Sequence, residues 1–83
     1  MKIRVRYFAS LREALGADEN IDMPEAGTVA ELRNLLLALG GRHAEVLARG
    51  RAVRTALNQT LCDEATALSE GDEVAFFPPV TGG

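Results

Sequence analysis

Apolar and polar side chains alternate at both ends of this chain, in residues 1–8 and again in residues 72–77. Alternation with a period of two is typical of a strand that has one buried and one solvated face. The positions predicted to point inward are Ile3, Val5, Tyr7, Val74 and Phe76. Aromatic and β-branched residues at these positions favour the extended state. Both ends of the chain are therefore expected to lie in a sheet.

Three further strands are predicted between these two. Residues 17–23 alternate and end at Pro24, and we expect this strand to pair with the first. Residues 52–58 and 60–62 read as two short strands joined by a turn near Asn58 and Gln59. Residues 68–71 supply the turn into the final strand, where Gly71 is free to take a positive φ.

Two capping boxes predict helix starts. Thr28 and Glu31 have this spacing and open the main helix, which ends at Gly40 and Gly41. The apolar stripe expected to pack on the sheet is Val29, Leu32, Leu35, Leu36 and Leu39. Residues 10–13 have the same capping spacing and predict a short helix closed by Gly16. Residues 43–49 are expected to form another helical turn before Gly50.

This order of elements predicts an α+β fold. One long helix must cover one face of a mixed four- or five-stranded sheet, because neither layer can bury its apolar face alone. The first and last strands are expected to be parallel neighbours at the centre. That arrangement is a β-grasp, the ubiquitin-like roll, here spanning residues 1–77 and followed by a flexible, extended C-terminal arm of residues 78–83.

Size, charge and cysteine content exclude several classes of function. A chain of 83 residues makes one domain with little room for an internal active-site cavity. The net charge of −3 counts against a nucleic-acid partner. The single Cys62 forms no internal disulfide, and no apolar run approaches the roughly 20 residues needed to span a bilayer. We expect a cytoplasmic protein with no membrane partner.

The body of the domain offers little chemistry of its own. Cys62 falls in a strand pattern, and His43 is expected to be a solvent-facing loop residue. One histidine and one cysteine do not predict a metal site. The acidic residues near the C-terminus predict a solvated edge that could dock a partner; they are Asp63, Glu64, Glu70, Asp72 and Glu73. We expect no reaction to be carried out by this domain alone.

The last residues are the stronger functional signal. Pro78 and Pro79 cannot donate to a ladder and hold φ near −65°, so the chain leaves the sheet in an extended path. The rest of the arm consists of Val80, Thr81, Gly82 and Gly83. Its six residues could project roughly 20 Å and carry an unhindered glycyl carboxylate at the tip.

Phe77 stands at the root of the arm. Alternation places it on the face opposite Phe76, beside the basic row of Lys2, Arg4 and Arg6. It is either an exposed anchor for a partner or an aromatic covered locally by Phe8.

Four stretches of the sequence match a known family: residues 5–13, the helix from Thr28, residues 56–60 and above all 70–83, which include Phe-Phe-Pro-Pro-Val-Thr-Gly-Gly. In these stretches the sequence resembles the small subunits of molybdopterin synthase, the sulfur carriers of molybdenum-cofactor synthesis. The resemblance covers the whole chain and implies a β-grasp. It also implies that a ubiquitin-activating-like adenylyltransferase, using ATP and Mg, adenylates the Gly83 carboxylate. A sulfur donor then converts it to a thiocarboxylate.

The family's arm enters a pocket of the large synthase subunit and delivers sulfur to cyclic pyranopterin monophosphate. Residues 78–82 would thread that pocket, Phe77 would contact the large subunit, and the carrier itself would bind no cofactor. Residues 63–67 have no clear counterpart in the family. The alternatives are a carrier for thiamine or another sulfur-requiring pathway, a modifier of lysines, and a non-enzymatic β-grasp adaptor.

Overall fold

The computed structural model describes residues 1–79. Its elements in chain order are β1 (Lys2–Tyr7), α1 (Ala9–Leu15), β2 (Asp18–Asp22), α2 (Val29–Ala38), α3 (Gly41–Val46), β3 (Arg54–Leu57), β4 (Thr60–Cys62) and β5 (Glu73–Phe77). Every predicted strand is present, within one or two residues of its expected ends. No helix within residues 1–79 is long and apolar enough to cross a bilayer.

The strands form one mixed sheet in the order β2-β1-β5-β3-β4. The first and last strands are parallel neighbours, with Tyr7 opposite Phe76. The other three pairings are antiparallel. This topology confirms the predicted β-grasp and places the end of β5 in the middle of the sheet.

A two-residue turn sets the register of the β3–β4 hairpin. Asn58 and Gln59 both have positive φ, 47° and 71°. Such a pair is typical of a type I′ turn, whose twist matches that of the flanking strands. The turn pairs Leu57 with Thr60 and Ala56 with Leu61.

The core lies between the sheet and the helices. Its fully buried members include Tyr7, Phe76, Ile3, Leu32, Leu36, Leu47, Val5, Val29 and Val74. The start of α2 is capped as predicted, since the Thr28 hydroxyl accepts from the Glu31 N–H at 3.3 Å. The N–H groups of Val29 and Ala30 donate to the carbonyls of Thr66 and Glu64. Residues 63–67, which have no clear counterpart in the family, thus anchor the start of the helix to the segment between β4 and β5.

Two details of the helices differ from the prediction. The stripe on α2 is narrower than expected, because Leu35 and Leu39 are 38% and 58% exposed. Arg33 takes a place on the buried face instead. The predicted capping box at Ser10 is wrong, because α1 already begins at Ala9 and its cap, Phe8, makes no side-chain hydrogen bond. The helix does end at Gly16 with φ 92°, as predicted.

Candidate functional site

The root of the C-terminal arm is held at the centre of the sheet. Phe76 is fully buried and stacks on Tyr7, with ring centroids 6.3 Å apart. The Phe8 N–H donates to the Phe76 carbonyl at 3.2 Å. The next residue, Phe77, faces the other side of the sheet and is half-buried. The predicted strand register therefore holds to the end of β5.

Phe77 continues an apolar strip on the outer face of the sheet. Ala75 is two residues before it, Ala56 lies opposite Ala75, and Leu61 lies opposite Ala56. Both alanines are 8% exposed, whereas Leu61 is 64% exposed. We call these four residues the outer apolar strip. Sequence reasoning missed Leu61, although a two-residue turn at Asn58 would have placed it beside Ala56.

Arginines border the strip. Arg54 lies opposite Phe77 across β3 and β5. Arg6 lies opposite Ala75, forms an ion pair with Glu73 at 3.8 Å and has its guanidinium 5.2 Å from the centroid of the Phe8 ring. The prediction that Phe77 lies beside the basic row is therefore wrong in part. Lys2 and Arg4 lie towards the other end of β1, and the cation next to Phe77 is Arg54.

The described part of the arm consists of Pro78 and Pro79, both half-buried and neither in a strand. The strand ends at Phe77, where the prolines were expected to end it. Val80, Thr81, Gly82 and Gly83 lie outside the described residues. The division into residues 1–77 and 78–83 and the roles of the arm residues stay predictions.

His43 is not the solvent-facing loop residue that the sequence predicted. It lies in α3, and its side chain is only 22% exposed. Its Nε2 lies 2.7 Å from a Glu19 carboxylate oxygen, which also accepts from the Tyr7 hydroxyl at 2.7 Å. Burial raises the pKa of Tyr7, and the hydrogen bond and charge of Glu19 raise it further. The cluster joins α3 to β1 and β2.

A second polar cluster centres on Arg33, whose side chain is 4% exposed. Its guanidinium donates to the carbonyls of Leu47 and Ala48, both at 2.8 Å, and to Glu64 at 2.7 Å. Arg49 also donates to the Glu64 carboxylate. Burial alone would raise the pKa of Glu64, but hydrogen bonds and charge from the two arginines outweigh it and lower that pKa.

The remaining candidates have local structural roles. Cys62 is half-buried on the edge strand β4, with its Sγ 3.5 Å from the Thr55 hydroxyl. The members of the predicted acidic edge make contacts within the domain, and docking of a partner on this edge stays a prediction. Glu64 and Glu73 pair with arginines, while Asp63, Glu70 and Asp72 accept from backbone N–H groups. Among residues 1–79, no three His, Cys, Asp or Glu side chains converge to hold a metal ion.

Comparison with known proteins identifies the family. The model of the ThiS family matches residues 5–83. The chain belongs to the ThiS family. This match covers β1 from Val5 onward, every later element and the C-terminal residues.

Relatives of this ThiS-family chain cover nearly its full length. The molybdopterin synthase sulfur carrier subunit of Escherichia coli is 44% identical, over 98% of this chain and 99% of the relative. Small archaeal modifier protein 3 of Haloferax volcanii is 35% identical, over 100% of this chain and 100% of the relative. Among solved structures, a complex of subunits 1 and 2 of molybdopterin-converting factor from Helicobacter pylori matches with a TM-score of 0.70 and 32% identity, covering all of both chains.

Proposed function

We propose that this chain is the sulfur carrier subunit of a molybdopterin synthase. The observation that carries the proposal is the continuity of its outer apolar strip with the C-terminal arm through Phe77. A partner that covers the strip is thereby positioned to receive the residues that follow Pro78. Similarity to the sulfur carrier subunit of Escherichia coli, over almost the whole of both chains, supports the same function.

The reactive group is the α-carboxylate of Gly83. A ubiquitin-activating-like adenylyltransferase binds ATP and Mg, and a carboxylate oxygen attacks the α-phosphorus while pyrophosphate leaves. Sulfide released from a sulfur donor then attacks the acyl carbon, the C–O bond to AMP breaks with its electron pair going to AMP, and a thiocarboxylate remains. Since a glycine carries no side chain, neither attack is hindered at this carbon. The carrier itself contributes no cofactor and no catalytic side chain.

The large subunit supplies the cavity that an 83-residue domain lacks. It docks on the outer apolar strip, where Leu61 and Phe77 offer apolar surface beside Arg54. Residues 78–82 then thread its pocket and place the thiocarboxylate against cyclic pyranopterin monophosphate. Two such deliveries build the dithiolene. The complex of the two converting-factor subunits in Helicobacter pylori supports a partner of this kind.

The test is reconstitution with defined components. The chain, the adenylyltransferase, ATP, Mg and a sulfur donor should give a product heavier by the replacement of one oxygen by sulfur, read as intact mass. Adding the large subunit and cyclic pyranopterin monophosphate should give the dithiolene. Deletion of Gly83 should abolish both products while the unfolding midpoint stays unchanged. Dithiolene formation by the deletion variant would refute the role of Gly83.

A second candidate function is protein modification, favoured by the 35% identity to small archaeal modifier protein 3. In that case the activated Gly83 would be transferred to lysines of other proteins. The two functions separate when the full mixture of adenylyltransferase, ATP, Mg, sulfur donor, large subunit and cyclic pyranopterin monophosphate also receives an excess of a lysine-rich protein. Sulfur delivery predicts dithiolene and an unmodified lysine-rich protein, whereas a modifier predicts isopeptide-linked products.

A further inference from the structure

The cationic side chains of this protein are almost all arginine. Of nine Lys and Arg residues, eight are Arg and the only lysine is Lys2. An arginine guanidinium stays protonated and has no lone pair to offer, whereas a lysine amine can lose its proton and attack an acyl group. The activated terminus of one copy can therefore react with only one side-chain amine on another copy, that of Lys2.

The other two strong nucleophiles of the chain, the Met1 α-amine and the Cys62 thiol, make contacts within the domain. The Met1 α-amine donates to the Met23 carbonyl in a half-buried position, and the Met23 N–H returns a bond to the Met1 carbonyl at 2.8 Å. Cys62 is half-buried beside Thr55. A thioester formed at its sulfur would also remain an acyl donor, so it would not be a stable end product.

Lys2, by contrast, is exposed, and hydrogen bonds hold its backbone in place. Its N–H donates to the Glu70 carboxylate at 3.0 Å, and its carbonyl accepts from the Gly71 N–H at 2.8 Å. The side chain borders an open depression of about 370 Å³, also lined by Arg4 and Asp22. Such a depression admits a terminal glycine pair, which brings no side chains.

Geometry directs the bond to a second copy. Lys2 lies at the start of β1, and the arm leaves the sheet beyond Tyr7, the partner of Phe76. Five residues of strand separate these ends by about 16 Å. Because β1 and β5 are parallel, the arm root points away from Lys2, and Pro78 restricts a reversal there.

We propose that Lys2 is the acceptor at which activated copies of this chain join to one another when no sulfur donor is present. The inference rests on the proposed adenylation of Gly83. The deprotonated ε-amine attacks the glycyl carbonyl carbon, a C–N bond forms, and the C–O bond to AMP breaks. AMP leaves with the bonding electron pair, and the amine proton passes to solvent. One lysine and one C-terminus per copy make the product linear and unbranched.

The test incubates the full chain with the adenylyltransferase, ATP and Mg, without a sulfur donor. The expected product has the mass of two chains less one water. Trypsin should give a branched peptide that joins residues 1–4 to residues 55–83, because acylated Lys2 resists cleavage and Arg54 is the last cleavage site. The Lys2→Arg variant should lose the product and keep the pyrophosphate release of the wild type.

The outcomes separate this inference from the proposed function. Pyrophosphate release without any joined product overturns the role of Lys2 and leaves adenylation standing. A product that persists in Lys2→Arg, linked through Met1 or Cys62, overturns it as well. Absence of pyrophosphate release overturns both proposals. As a matched control, Arg51→Lys in the Lys2→Arg background places an exposed amine elsewhere. Failure of this amine to restore the wild-type yield would support the Lys2 site as the acceptor, and full restoration would overturn a specific role for that site.

Discussion

Replacement of Arg33 by methionine should cost this domain much of its stability. Methionine keeps the length and apolar character of the side chain but removes every donor. The Leu47 carbonyl then loses its guanidinium donor in the interior, and Glu64 keeps only Arg49. The Ala48 carbonyl keeps the Arg51 N–H at 2.9 Å. A buried acceptor left without its donor costs about 1–3 kcal/mol. The unpaired Leu47 carbonyl and the lost hydrogen bond to Glu64 together predict a loss of about 2–3 kcal/mol.

That loss is large for a chain of 83 residues, whose total stability is expected to be about 4–12 kcal/mol. The melting temperature should fall by about 4–8 °C for each kcal/mol. Arg49→Met is the matched control, because Arg49 also pairs with Glu64 but is 46% exposed. An exposed pair contributes at most about 1 kcal/mol. Urea midpoints of the two variants measure the difference, and equal losses would refute the argument from burial.

Further predictions follow from the same packing. Phe76→Ala should lose about 3–5 kcal/mol of folding stability in denaturant titrations. Phe77→Ala should fold normally and lose about 2 kcal/mol of binding free energy for the large subunit, measured by calorimetry. The opposite result would show that the two side chains lie on the opposite faces of the sheet from those described. Gln59→Gly should raise stability by about 0.5–1 kcal/mol, because φ is 71° there; an unchanged melting curve would count against strain. Tyr7, the only tyrosine in a chain without tryptophan, should show no phenolate absorbance at pH 10 until unfolding, because burial and Glu19 raise its pKa. Stability should therefore fall as pH rises above 10.

The acid side of the stability profile tests Glu64. Its pKa is lowered in the folded protein from the ordinary value of 4.5. The stabilisation from the charged carboxylate is therefore fully present above that ordinary value and is lost as pH falls through the lower folded value. The difference in unfolding free energy between wild type and Glu64→Gln should shrink over that acid range. A difference that does not change with pH would show that the carboxylate charge contributes nothing.

Local patterns were sufficient to predict most of the fold. Alternation in β1 and β5 marked the buried faces, and Thr28 marked the start of α2, because these signals depend on neighbours within a few residues. The apolar stripe of α2 was predicted too wide. Leu35 and Leu39 have helical spacing, but Arg33 occupies part of the inward face. Periodicity counts apolar residues and cannot detect a buried cation.

The two polar clusters could not be predicted, because their partners are distant in sequence. Arg33 is satisfied by carbonyls 14 and 15 residues further along, in a stretch with no periodicity. His43 meets a carboxylate 24 residues before it, on a strand that the fold brings against α3. Long-range polar contacts depend on the assembled topology. The outer apolar strip differs in this respect, since one hairpin register is enough to place Leu61.

The position of β5 explains how so small a domain could present the reactive terminus proposed for it. A strand at the edge of a sheet would leave the root of the arm held on one side only. Here β5 lies between β1 and β3, and the Phe8 N–H holds the carbonyl of Phe76, the last buried residue. Pro78 then removes the next donor, so the ladder cannot extend into the arm. The same register turns Phe77 outward, onto the surface where a partner would dock. The anchor of the arm, the end of the ladder and the proposed contact with a partner thus lie within three consecutive residues, and none of them requires an internal cavity.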